Sequence, residues 1–312
     1  MTGKSAEHPQ RLQHLLTLAD LPQTTLLALL ERAGEFLAPP GKPARRYDLL
    51  DGKTVANLFF EPSTRTRTSF ELAARRLGAE VVTLDMAFSS TVKGETPLDT
   101  FHTLQAMNVD LFVVRHREAG VPQTLAQHAL PQVHVVSAGE AHVSHPTQGL
   151  LDVFTIRRHK KKFDKLAVAI IGDVRHSRVA RSAVQALHTL GTRDIRFAGP
   201  AELLPEDLDG EQFTNPDKAL AGADVVMMLR IQKERMQAGL IPDEHEYFQR
   251  YGLDATRLKL ARADAIVMHP GPMNRGVEIA AEVADGPQSV IREQVSNGVA
   301  VRMAVLATLM GT

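Results

Sequence analysis

No cysteine occurs among the 312 residues. Disulfides, thiolate nucleophiles and cysteine-ligated metal centres are thereby excluded. Net charge is lacking too. The 36 basic and 36 acidic side chains cancel, so no global field draws the chain to nucleic acid or to an anionic membrane surface. Apolar runs stay far below the ~20 residues that a membrane-spanning helix needs. The opening MTGKSAEHPQ is polar and contains a proline, unlike a secretory signal. Internal repeats and low-complexity tracts are absent as well. The expectation is a soluble, cytoplasmic chain without nucleic-acid or membrane partners, long enough for two domains with a substantial core.

What is present is alternation. Short apolar runs rich in β-branched residues alternate with amphipathic segments, which predicts an α/β protein with parallel sheets. Strands are expected at 54–60, 80–85, 111–116 and 133–138, and in a second series at 166–173, 194–199, 224–231 and 265–270. Helical patterns fill the intervals, among them TSFELAARRLG, TPLDTFHTLQAM, RVARSAVQALHTLG and finally IREQVSNGVAVRMAVLATLM. The HKKKFDK stretch at 159–165 reads as a solvated connection between the two series. The pattern predicts two domains, each a parallel sheet flanked by helices, over residues 1–150 and 151–288. The C-terminal helix, 289–310, is expected to pack back on the first. Open parallel sheets bind ligands beyond the carboxyl ends of their strands, so motifs just after a strand carry the functional weight.

One such motif is EPSTRTRTSF at 61–70, between an expected strand and an expected helix. The first amides of a helix lack backbone partners and carry the positive end of its dipole, which suits phosphate or carboxylate. Ser63, Thr64 and Thr66 add hydroxyl donors there, while Arg65 and Arg67 add forked, permanently charged ones. A structural cap at Ser63, or at Thr68 with Glu71 in a capping box, accounts for one hydroxyl and for neither arginine. The segment reads as an anion site. Other segments stay open on their own residues. Lys93 beside Gly94 and Glu95 suits a solvated loop, Arg115 suits either a strand-end charge or a ligand, and His145 stands just before Pro146 at an expected helix start. The GDVRHSRVARS segment at 172–182 is placed like a dinucleotide loop but lacks G-x-G-x-x-G. His142 and His145 have no carboxylate at a convincing metal-binding spacing. No cofactor and no metal are expected.

The run PSTRTRTSFE resembles the carbamoyl-phosphate signature of the aspartate and ornithine carbamoyltransferases. Three further segments follow in that family's order: FSSTVKGETPLDT at 88–100, VVRHREAG at 113–120 and HPTQGLLD at 145–152. The resemblance covers nearly the whole chain. It implies that Ser63, Thr64, Arg65 and Thr66 hold the phosphate, that Thr66, Arg115 and His145 polarise the carbonyl oxygen, and that Gln148 holds the carbamoyl nitrogen. Arg65, Thr66, Arg115 and His145 would be the catalytic set, and the backbone of Gly271 and Pro272 would line the same ligand. Ser89 and Lys93 would reach into a neighbouring subunit, which implies a homotrimer with shared sites. In the second half, Arg178 and the R-x-Q-K-E-R run with Arg230 and Gln232 match the aspartate branch, with the neighbour's Lys93 assisting.

Elementary chemistry points the same way. Aspartate presents two carboxylates and calls for arginines, whereas ornithine calls for an acidic group to take its side-chain ammonium. The ornithine branch carries an H-C-L-P segment; here the chain reads HPGPMNRGVE at 269–278. Its MNRG continuation departs from the HPLPR of some members and leaves Arg275 without an assigned role. The resemblance therefore implies transfer of the carbamoyl group of carbamoyl phosphate to the α-amine of L-aspartate. The products would be N-carbamoyl-L-aspartate and phosphate, an early step of pyrimidine biosynthesis. Ornithine or another amine as acceptor, and a non-catalytic anion-binding paralogue, are the alternatives. Some members join regulatory or dihydroorotase-like chains.

Overall fold

Continuous apolar runs, as opposed to alternating ones, mark strands covered on both faces. The computed structural model, which describes residues 12–38, 42–85, 95–231 and 243–312, places nearly every expected run in such a strand. Two compact units result: the described residues up to Glu140 together with Val299–Thr312, and Ala141–Gly298.

The first unit contains α1 (Gln23–Glu35), β1 (Thr54–Phe59), α2 (Thr64–Arg76), β2 (Glu80–Asp85), α3 (Pro97–Ala106), β3 (Leu111–His116), α4 (Val121–Gln127) and β4 (His134–Glu140). Its four strands run parallel in the order β2-β1-β3-β4. Its core gathers Leu58, Leu104, Val114, Leu125 and the tilted ring pair Phe101 and Phe112, whose centroids lie 4.4 Å apart. Each such fully buried side chain contributes ~1.5–3 kcal/mol. Thr96 and Asp99 form a complete capping box that starts α3.

The second unit contains α5 (Pro146–His159), β5 (Ala167–Ile171), α6 (Arg178–Thr189), β6 (Asp194–Ala198), β7 (Glu211–Phe213), α7 (Pro216–Leu220), β8 (Val225–Met228), α8 (Glu244–Tyr251), α9 (Ala255–Leu258), β9 (Ile266–Met268) and α10 (Ala281–Ala284). Its five strands are parallel, in the order β7-β6-β5-β8-β9. The last helix, α11 (Ile291–Leu309), joins the first unit from Val299 onward, where the Arg302 guanidinium sits 5.0 Å from the Phe70 ring centroid. The C-terminal helix thus packs back on the first unit, as expected. Among the described residues no helix is long and apolar enough to cross a membrane.

Three local readings are corrected. The strand β7 was not anticipated: Glu211-Gln212-Phe213 is a three-residue edge strand with two exposed positions and no apolar pattern. The HKKKFDK stretch is not uniformly solvated. Lys160 is buried, with Nζ 2.7 Å from both the backbone oxygen and Oδ2 of Asp264, and Phe163 is buried as well. Finally, α2 opens at Thr64, so Thr68 lies inside the helix and caps nothing.

Candidate active site

Strand order fixes where each sheet can hold a ligand. In the first unit the chain steps outward from β1 to β2, then crosses to β3 and proceeds the other way to β4. The reversal lies between β1 and β3, and the crevice of such a sheet opens at the carboxyl ends of those two strands. The anion motif follows β1, and Arg115 is the penultimate residue of β3. The two ends are tied together by the Phe60 amide, which donates to the Arg115 carbonyl at 2.9 Å.

Ser63 occupies the N-cap of α2 in extended conformation, yet its hydroxyl makes no capping bond. The amides of the first turn, Thr64 to Thr66, have no intrahelical acceptor. Thr66 is buried against the core while Thr64 and Arg65 are exposed. Arg115 is aimed by two contacts: its guanidinium lies 2.6 Å from Glu61 Oε1 and donates to the Ala138 carbonyl at 3.1 Å. Glu61, the first residue of the motif, was not singled out from sequence. Beside it, burial pushes His116 below its ordinary 6.5, against the opposing pull of Glu118, whose amide donates to His116 Nδ1 at 2.9 Å.

The second sheet repeats the arrangement. Its reversal lies between β5 and β8. Gly172, just past β5, has φ +128°, and a Cβ there would stand 2.6 Å from the Leu229 carbonyl past β8. This glycine is required by the close approach of two strand ends, which explains a glycine at that place without any dinucleotide. Arg178 is the first residue of α6, whose cap Ser177 accepts from the Ala180 amide at 3.1 Å. The Arg178 side chain is buried, and its Nη1 donates to the Ala141 carbonyl at 3.2 Å. Arg230 follows two residues after β8 and is half-buried. Both arginines therefore lie in the segments that follow the two strands flanking the reversal. Buried Asp173, between them in sequence and β5, accepts through Oδ1 from the amide and Nδ1 of His176, at 3.2 and 2.9 Å.

His145, Gln148, Gly271 and Pro272 also lie in the second unit. His145 caps α5 with Pro146 at the first helical position, as its sequence indicated, and its amide donates to Ser182 Oγ at 2.9 Å. Gln148, on the first turn, donates from Nε2 to buried Asp152 at 2.9 Å. Gly271 has φ +67°, a left-handed conformation suited to glycine, and its amide donates to His269 Nδ1 at 2.8 Å. The His269 ring proton is then on Nε2, 3.1 Å from Glu278 Oε1. This clamp fixes the backbone of Gly271 and Pro272. Arg275 is turned to Asp285, at 2.7 and 3.1 Å, in an exposed ion pair. Ser89, Lys93 and Gln232 lie outside the described residues.

Comparison with known proteins divides the chain at a later point, so that α5 with His145 and Gln148 falls in the first match. Residues 13–158 match the model of the aspartate/ornithine carbamoyltransferase carbamoyl-P binding domain, and residues 164–309 match that of the Asp/Orn binding domain. Aspartate transcarbamoylase from Trypanosoma cruzi, solved in complex with carbamoyl aspartate and phosphate, is 28% identical, with 96% of each chain covered and a TM-score of 0.85. In complex with N-(phosphonacetyl)-L-aspartic acid the figures are 29%, 96% of each chain and 0.85. Ornithine carbamoyltransferase from Pyrococcus furiosus is 31% identical, over 96% of this chain and 97% of that one, also with a TM-score of 0.85.

Proposed function

This chain belongs to the aspartate/ornithine carbamoyltransferase family, and we propose that its acceptor is L-aspartate. The observation that carries this reading is the pair Arg178 and Arg230 past the reversal of the second sheet, Arg178 opening the helix that follows β5 and Arg230 two residues beyond β8. Two guanidinium forks suit the two carboxylates of aspartate and would repel the side-chain ammonium of ornithine.

In the proposed reaction the neutral α-amine attacks the carbonyl carbon of carbamoyl phosphate. A carbon–nitrogen bond forms, a tetrahedral intermediate collapses, and the carbon–oxygen bond to phosphate breaks. The amine proton passes to the leaving phosphate, so no protein base is required. Ser63, Thr64, Arg65 and Thr66 hold the phosphate; Thr66, Arg115 and His145 face the oxygen that gains charge; Gln148, Gly271 and Pro272 orient the carbamoyl group. Arg178, Arg230 and Gln232 hold the acceptor. Alignment of two reactants can supply ~7–11 kcal/mol of the barrier, and each donor aimed at a developing oxyanion ~3–4 kcal/mol. Ser89 and Lys93 complete the site from a neighbouring copy in a homotrimer. Mixing an inactive Lys93 variant with an inactive Arg65 variant then restores part of the activity, whereas complete failure to complement would argue against sharing.

The deciding assay is phosphate release from carbamoyl phosphate with a panel of amines. Release that depends on L-aspartate and yields N-carbamoyl-L-aspartate is expected. Release that depends on ornithine would transfer the assignment to the other branch, and none with any amine would leave an anion-binding paralogue.

A further inference from the structure

The mechanism above leaves the buried carboxylate of Asp152 unused. Asp152 is fully buried on α5, one turn after Gln148. Its Oδ1 accepts twice, from Gln148 Nε2 at 2.9 Å and from Gln294 Nε2 at 3.0 Å. The other end of Gln294 is fixed as well, since its Oε1 accepts from the His269 amide at 2.9 Å. A single chain of donors therefore runs from the backbone of His269 through Gln294 to Asp152, where it meets Gln148. All four residues belong to one unit.

Polarity gives this chain a consequence. A carboxylate can only accept, so each glutamine must turn its NH2 toward Asp152 and its carbonyl oxygen away. For Gln294 the oxygen has an evident use on the His269 amide. For Gln148 the oxygen is left as an acceptor on the first turn of α5, two residues along the helix from Pro146. A carbamoyl group differs from an acetyl group in one respect that such an oxygen can read: it carries an NH2 where acetyl carries a methyl. Were the Gln148 amide free to rotate, it would present either face and lose that discrimination.

We propose that Asp152 is a positioning residue that locks the Gln148 amide with its oxygen toward the substrate, and so makes the enzyme prefer carbamoyl over acyl phosphates. The inference rests on the carbamoyl-transfer reading. Gln294 extends the lock to the segment that carries Gly271 and Pro272, so both parts of the carbamoyl-binding surface assigned to this unit are held by one carboxylate.

The test compares kcat/KM for carbamoyl phosphate with that for acetyl phosphate at saturating aspartate. Asp152→Leu fills similar volume without an acceptor and should lower the carbamoyl-to-acetyl ratio about tenfold, the worth of one well-placed hydrogen bond. Asp152→Asn, which retains an acceptor oxygen, should keep most of the ratio. The double variant Gln148→Leu with Asp152→Leu should fall no further than Gln148→Leu alone, because one acts through the other. An Asp152→Leu enzyme that loses activity equally on both phosphates would overturn the proposal and leave Asp152 a purely structural residue. If that variant does not fold, Gln294→Leu reads the same ratio; a drop of about threefold supports the lock, and an unchanged ratio overturns it. A wild-type enzyme that carbamoylates no amine would instead bring down the functional reading itself, and this inference with it.

Discussion

The two units place their candidate anion-binding groups at the same topological point, yet they use different chemistry there. In the first, the reversal between β1 and β3 is lined by a helix N-terminus, three hydroxyls and the exposed Arg65, with Arg115 held by Glu61. In the second, the segments after β5 and β8 carry two arginines, buried Arg178 and half-buried Arg230, together with the buried carboxylate of Asp173. A phosphate offers oxygens in several directions and suits many short donors converging from amides and hydroxyls. A carboxylate is planar, offers two oxygens and suits a guanidinium fork. The fold supplies the place, and the residues just after each strand supply the selectivity.

That contrast is sharpest if each unit can be damaged separately. Arg115→Ala removes a donor aimed at the carbonyl oxygen and should lower kcat about 10²–10³-fold with the KM for aspartate little changed. A large rise in aspartate KM would instead blur the two sites into one. Arg230→Ala should act in the opposite manner, costing ~2–3 kcal/mol of acceptor binding, or roughly 30–150-fold in aspartate KM, while the KM for carbamoyl phosphate holds. Steady-state kinetics with each substrate varied in turn separates the two patterns. Ser63→Ala is milder: one hydroxyl donor to a charged acceptor is worth ~1.5 kcal/mol, about tenfold in phosphate affinity, measured by competition with inorganic phosphate. Thermal stability should not fall with it, because the Ser63 hydroxyl makes no capping bond.

Why some of this was legible before the structure and some was not is a matter of sequence distance. Parallel strands buried on both faces show themselves as continuous apolar runs, so β1, β3, β5 and β8 and the motifs after them were readable. The cap position of His145 was readable from Pro146. The edge strand β7 has no such run, since its pairing with β6 and not its composition makes it a strand. Lys160 seemed solvated because the Asp264 that pairs with it lies 104 residues away. The same holds for Glu61, whose partner Arg115 is on another strand. Asp152 is an intermediate case: its i, i+4 relation to Gln148 stood in HPTQGLLD, but Gln294, the residue that gives it a second role, is 142 positions further on.

The subtlest expected difference between the units concerns acid. In the first, burial holds His116 below 6.5, and burial together with the nearby charge of His134 does the same to His14. A histidine depressed in the folded state stays neutral while the unfolded chain takes up a proton, so its contribution is present above 6.5 and is lost as pH falls below it. In the second unit the shifted acids are carboxylates. Hydrogen bonds from Arg181 hold Asp207 below 3.8, and for Glu293 those from His159 and Arg158 outweigh a burial that alone would raise it above 4.5. Their contributions persist until the pH falls below those ordinary values. Between about pH 6 and pH 5 the strands of the first unit should therefore lose protection while those of the second keep it. Amide hydrogen exchange on the full chain, corrected for intrinsic rates, reads the two sheets separately. Earlier loosening of β5 and β8 than of β1 and β3 would break the contrast, and His116→Gln should narrow it by removing one of the two titrating rings without a change of charge at neutral pH.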